Sequence, residues 1–139
     1  KGEYKAYIAC NLIAKKGNRF YGIYKGFKRN EPYFTQTGKD REHNANQYIA
    51  NISDGTIVGF KYFDFNNTKK IIITIKGNAR GIIYVSKTIK GKAIAQITIN
   101  KSRQYMNYYS DLHLEDGKSA LFFRFEGKGR FKFKSFFLK

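Results

Sequence analysis

The chain has 139 residues, enough for one domain that buries about two-thirds of the surface its unfolded form exposes. It carries 27 Lys+Arg against 10 Asp+Glu, a formal net charge of +17, and its aromatic residues, 17% of the total, are all Phe and Tyr. The lone Cys10 excludes an internal disulfide, a redox pair and a zinc site of Cys/His spacing, and leaves the compartment open. No apolar run near the N-terminus is long enough for a signal peptide or a membrane span, which reads as a soluble chain, mature or excised from something larger. Abundant Ile, Tyr and Phe with a single Pro and a single Met suit pleated, half-buried surfaces and predict an all-β protein. The lysines are spread along the sequence, at Lys5, Lys15, Lys28, Lys61, Lys76, Lys90, Lys118 and Lys134 among others. That spacing reads as generic solvent-facing lysine rather than as a clustered polyanion site.

Period-two segments follow one another from the N-terminus. Tyr4–Ile13 and Arg19–Tyr24 flank "KKGN", a hairpin turn, because Gly and Asn tolerate positive φ. Pro32 opens the longest polar stretch, which runs to Gln47 and reads as an ordered loop. "YIANI" and "IVGFKYFDF" bracket the turn "SDGT". In the second run Val58, Phe60, Tyr62 and Asp64 point one way and Gly59, Lys61, Phe63 and Phe65 the other, so both faces are partly apolar and a central strand is predicted. "IIITI", "GIIYVS" and "AIAQITI" read as three strands joined by turns at "KGNAR" and "KTIKGK", at the spacing of a sandwich or barrel. "NKSRQYMNYYS" resembles a loop entering a strand.

The chain closes with "ALFFRF" and "RFKFKSFFL", predicted to pair as a hairpin around "EGKG". Leu121, Phe123 and Phe125 share one face, and Phe131, Phe133 and Phe137 share a face of the partner strand, a wall of core side chains. Lys132, Lys134 and Arg124 then look outward. No stretch of a dozen residues keeps a helical period, so helix content is expected near zero.

Few residues invite catalysis. His43 lies in the polar loop, and His113 alternates between Leu112 and Leu114 on a solvent-facing strand, a setting in which histidine is structural or exposed. The acids mostly occupy turns. A glycosidase pair needs two carboxylates about 5–9.5 Å apart across a cleft, which spacing alone does not exclude. No nucleophile elbow, phosphate-cradling glycine loop or H-E-x-x-H motif is present, and nothing specifies an enzyme. Loop aromatics and amides remain: Tyr33, Tyr48, Asn51, Tyr105, Asn107, Tyr108 and Tyr109. They suit a sugar ring, whose C–H faces pack on an aromatic while its hydroxyls take directional hydrogen bonds, and they suit ordinary packing equally.

The order of these pieces carries a resemblance. "EPYFTQTGKDREHNANQYIANISDGTIVGFKYFDF", followed by strand runs and the ending "DGKSALFFRFEGKGRFKFKSFFLK", resembles the C-terminal module of bacterial family 43 glycoside hydrolases, which act on xylan and arabinan side chains. That module is similar to the family 6 carbohydrate-binding modules. The resemblance covers about 31–139. Residues 1–30, with "YKAYIACN" and "GNRFYGIYKGF", look like the tail by which a catalytic domain runs into the module and packs on it.

The resemblance implies a jelly-roll β-sandwich of the galactose-binding-domain type, non-catalytic in isolation and covalently linked to a glycoside hydrolase. It implies a polysaccharide or oligosaccharide of the xylan or arabinan class as partner, argues against nucleic acid and membrane, and favours a bacterial extracellular setting. By position, the family's loop tryptophan falls at Tyr105, with Asn107 beside it and Tyr108 as a second ring. The other clamp position falls at Asn51, with Tyr48 just upstream, and the sugar-bonding asparagine falls near Lys132. The absent Trp and the Lys at the asparagine position keep two alternatives open: a structural accessory domain that stabilises its catalytic partner, and a basic polyanion-binding domain. The family often holds a structural calcium through an acidic pair. Here Thr37–Lys39 stand at that place, so no metal is required, although Asp40, Glu42 or Asp54 could supply oxygen ligands.

Overall fold

The computed structural model describes residues 2–6, 9, 11–13, 19–20, 33–35 and 48–139. Ten strands are described: β1 (Gly2–Lys5), β2 (Asn11–Ile13), β3 (Arg19–Phe20), β4 (Tyr33–Thr35), β5 (Tyr48–Ile52), β6 (Ile57–Phe65), β7 (Lys70–Ser86), β8 (Ala93–Ile99), β9 (Ser102–Asp111) and β10 (Gly117–Leu138). No α-helix occurs among the described residues, as the missing helical period predicts.

Two long antiparallel strands organise the fold. β7 and β10 stay paired from Ser86 opposite Phe122 to Ile71 opposite Leu138. Yet Phe123 and Phe133, both on β10, bring their ring centroids within 5.4 Å, where a straight strand would hold them about 33 Å apart. β10 therefore folds over, β7 folds with it, and each strand contributes one half to each of two layers. The first layer joins β3, β2, β6, the first half of β10, the second half of β7 and β8. The second joins β4, β5, β1, the last part of β10, the first part of β7 and β9.

The expected hairpin around "EGKG" and the expected turn at "KGNAR" are thereby corrected, because both stretches are paired strand. Gly127 faces Gly81, and Gly129 faces Ala79. A Cβ on Gly81 would overlap the Glu126 carbonyl oxygen, one on Gly127 would overlap that of Arg80, and one on Gly129, whose φ is +85°, would overlap that of Asn78. The glycines let two backbones press together through a sharp bend rather than reverse the chain.

The bend turns the aromatic side chains of both halves of β10 toward each other. Phe60, Phe123, Phe133 and Phe136 pack at centroid separations from 4.8 to 6.3 Å, with Tyr4 and Phe63 against Phe136. Ile71, Ile73, Ile75, Ile83, Val85, Ile97 and Ile99 fill the rest of the core. Burying each such side chain stabilises the fold by about 1.5–3 kcal/mol.

Two bulges shift the face parity. Phe133 opposes Ile75 while Ser135 opposes Thr74, so Lys134 is an extra residue on β10. Beyond it Phe136 and Leu138 turn inward, and Phe137, expected in the core wall, stands 36% exposed. On β6, Phe60 opposes Leu121 and Phe63 opposes Ser119. The two apolar faces read from that strand are one core face interrupted at Lys61 and Tyr62, both exposed. β6 is nevertheless central, flanked by β2 and β10.

Other expectations change in detail. "SRQYMNYYSD" is a full strand rather than a loop entering one, and His113 sits between β9 and β10 outside any strand, exposed beside buried Leu112. The "SDGT" turn forms, with Thr56 N donating to Ser53 O at 3.0 Å and Gly55 at φ +83°. β2 and β3 pair as the first hairpin requires, while the "KKGN" turn and the polar stretch 36–47 lie outside the described residues. β1 pairs with β10 and β2 with β6.

Candidate functional site

On the second layer, alternation places one set of side chains inward and the other on an outer face. Register puts Tyr108 opposite Ile73 on the inner side, whereas Asn107 lies opposite Thr74 and Tyr109 opposite Ile72. Lys76 opposes Lys132 on the outer side of β7 and β10, and the Lys134 bulge adds a third ammonium. The Nζ of Lys76 stands 4.7 Å and that of Lys134 5.1 Å from the centroid of the Tyr105 ring. Lys132 Nζ lies 5.2 Å from that of Tyr48. Burial pushes the Tyr105 hydroxyl above the ordinary tyrosine range, and the neighbouring Tyr48 adds to the shift. Two tyrosine rings and three lysines thus share one half-buried surface.

Where this face reaches the bend it opens into a pocket of about 830 Å³. Lys76, Lys101, Arg103, Arg130 and Lys132 line it with cations and Asn51 and Asn78 with amides, and Phe131 borders it. Asn51 holds φ +58°, a left-handed conformation that Asn tolerates better than most residues. Among the described residues no carboxylate lines the pocket, and none of the five cations pairs with one.

Four of the candidate residues therefore come together: Tyr105, Tyr48, Lys132 and Asn51. Asn107 shares the outer face of β9 but accepts a 2.7 Å hydrogen bond from the Thr74 hydroxyl. Tyr108 does not join them. Its ring packs against the core, its hydroxyl donates to Asn100 O at 2.9 Å, and Asn100 N donates back at 3.4 Å. Three positions along a strand reverse the face, so the i, i+3 spacing that would suit two rings on a loop separates them on β9. Sequence reasoning missed Lys101, Arg103 and Arg130, and read Lys76 as one of many dispersed cations. Far apart along the chain, these residues converge only because β7 and β10 bend together at the glycines.

Elsewhere the chemistry is sparse. His113 borders a shallow depression with Asp111 and Asp116, and the Asp116 carboxylate accepts the Asn67 backbone N–H at 2.7 Å. Among the described residues no group of three acidic, His or Cys side chains could hold a metal ion. The Asp54 carboxylate accepts the Gly127 N–H at 3.2 Å, and Asp40 and Glu42 lie outside the described residues.

No protein-family model matches the chain. A xylosidase/arabinosidase of Thermoclostridium stercorarium is 34% identical over 139 residues, which make up 99% of this chain and 29% of that protein. The fold matches a family 6 carbohydrate-binding module from Clostridium cellulolyticum, solved with xylose, at a TM-score of 0.75 and 11% identity, covering 99% of this chain and 95% of that one. The module CsCBM6-3 from Clostridium stercorarium, solved with cellobiose, gives 0.73 and 12%, covering 99% and 92%. A family 43 arabinoxylan arabinofuranohydrolase from Bacillus subtilis, solved with cellotetraose, gives 0.64 and 14%, with this chain covering 32% of it. The chain has the β-sandwich fold of the family 6 carbohydrate-binding modules, and in sequence it is similar to a segment of a much longer xylosidase/arabinosidase.

Proposed function

We propose that this chain is a non-catalytic carbohydrate-binding module of a plant-cell-wall-degrading glycoside hydrolase, and that it holds xylan- or arabinoxylan-type glycans on the outer face of the second layer. The observation that carries the reading is the pairing of Tyr48 and Tyr105 on one outward face, beside an 830 Å³ pocket. Aromatic platforms of this kind stack ligand rings for about 1–3 kcal/mol each in other systems, and the pocket lies in the size range of small-ligand sites. The family 6 fold and the similarity to a xylosidase/arabinosidase support the same class.

Tyr105 and Tyr48 act as platforms, Asn51 as a hydrogen-bond donor or acceptor and Lys132 as a donor at the pocket, and Asn107 as a rim amide. Tyr108 takes no part in contact and instead orients β9 through Asn100. Isothermal titration with xylo- and arabino-oligosaccharides is expected to give binding heat that disappears in Tyr105→Ala and weakens in Tyr48→Ala. Flat traces from the unaltered protein across both glycan series would overturn the reading.

A further inference from the structure

We infer that the pocket beside the tyrosine pair selects a carboxylated glycan, one bearing uronate groups, over its neutral counterpart. The inference rests on the proposed glycan-binding role and names the class of glycan.

Lys76, Lys101, Arg103, Arg130 and Lys132 converge on a single concavity with no Asp or Glu among the described residues of its lining. Among the described residues the only ion pair is Arg124 with Glu126 on the first layer. Like charges gathered without a counter-ion repel one another, and a bound anion relieves that repulsion. The second observation concerns the rings themselves. Lys76 and Lys134 lie over Tyr105, and Lys132 lies over Tyr48, so ammonium groups occupy aromatic faces that a neutral sugar needs for stacking. A neutral ring must displace them and offers them no counter-charge. A uronate offers its carboxylate to the displaced lysines and to the Arg130 guanidinium, which can grip it through two parallel N–H···O bonds.

Shape distinguishes this ligand from nucleic acid. The cations surround one pocket of about 830 Å³ at the end of a face, whereas a nucleic-acid backbone is tracked along an extended basic groove. Asn51 and Asn78 add amides suited to the hydroxyls of a sugar.

The test titrates the folded chain with oligogalacturonide, with the same oligomer fully methyl-esterified, with neutral xylo-oligosaccharide, and with single-stranded DNA. The acidic oligomer is expected to bind at least about tenfold more tightly than its ester, the loss that one charge-assisted hydrogen bond accounts for. Its affinity should fall as salt rises. The double variant Arg103→Gln/Arg130→Gln should erase the preference for the acid without lowering affinity for the ester. A second pair, Lys101→Gln/Arg103→Gln, should do the same, and unchanged melting temperatures would show that both fold. Equal affinity for acid and ester, independent of salt, would overturn the inference and leave the glycan reading standing. Tighter binding of DNA than of the acidic oligomer would overturn it in favour of a polyanion site. Absence of binding to all four probes would overturn both.

Discussion

The inner and outer faces of the layer built on β9, β7 and the end of β10 are made from the same alternating pattern but obey different energetics. Inside, Phe133 and Phe136 meet Phe60 and Phe123 edge to face or tilted, with almost no exposure. Outside, Tyr48 and Tyr105 are met by lysine ammonium groups and keep part of their surface in water. A ring is therefore sealed in the core or left half in water according to which side of one strand it occupies. The choice is made by backbone register, and a single bulge at Lys134 reverses it.

That comparison can be broken most severely from the inside. Phe136→Ala removes a ring that touches Tyr4, Phe60, Phe63 and Phe123, and is expected to lower unfolding free energy by about 3–5 kcal/mol in a urea titration. Tyr109→Ala, on the outer face and 70% exposed, should stay within about 0.5 kcal/mol of the unaltered protein. Similar losses for the two would erase the distinction between faces.

The bend separates the two halves of β10 and is the next place to press. Gly129→Ala adds a Cβ at φ +85° against the Asn78 carbonyl and should destabilise by about 1–3 kcal/mol or more, measured the same way. Because the bend also shapes the pocket, glycan affinity should drop with it. A fully stable variant would show that the strands need no glycine there.

Tyr108→Phe sharpens the contrast within β9 itself. Loss of the hydroxyl that Asn100 O accepts from should cost about 1 kcal/mol of stability while leaving glycan affinity unchanged. Weakened affinity at unchanged stability would place Tyr108 in the binding surface after all.

The smallest effect is one of pH. The Tyr105 hydroxyl titrates above its ordinary value because burial, and then Tyr48, disfavour the phenolate. A folded pKa raised above the unfolded one means that the unfolded chain loses its proton first. Tyr105 thus holds its contribution below about pH 10 and loses it as pH rises from there through the folded value. Ultraviolet titration should show one late-titrating tyrosine that vanishes in Tyr105→Phe. Its persistence in that variant would assign the shift elsewhere.

Much of this architecture was legible beforehand. The sorting of Leu121, Phe123, Phe125, Phe131 and Phe133 to the core follows from alternation and burial, and all five are buried. The two halves of β10 do face each other, but across the core rather than as hydrogen-bonded neighbours. Glycine marks a tight bend in a continuous strand and a chain reversal with the same letter, and only the pairing partner separates them. Phe137 was misplaced because period-two counting has no way to register an inserted residue. At the site, Tyr48, Tyr105, Lys132 and Asn51 were legible as a group through family resemblance. Arg130, Lys101 and Arg103 were not, since their convergence is set by a bend whose existence the local sequence disguises as two turns.

The most direct test of the account is to follow backbone amide resonances while xylo-oligosaccharide and oligogalacturonide are titrated in turn. The account expects the shifts to centre on Tyr48, Asn51, Lys76, Tyr105, Arg130 and Lys132, with Tyr84 and Gln96 on the first layer unmoved. Shifts centred on the first layer, or none with either glycan, would contradict it.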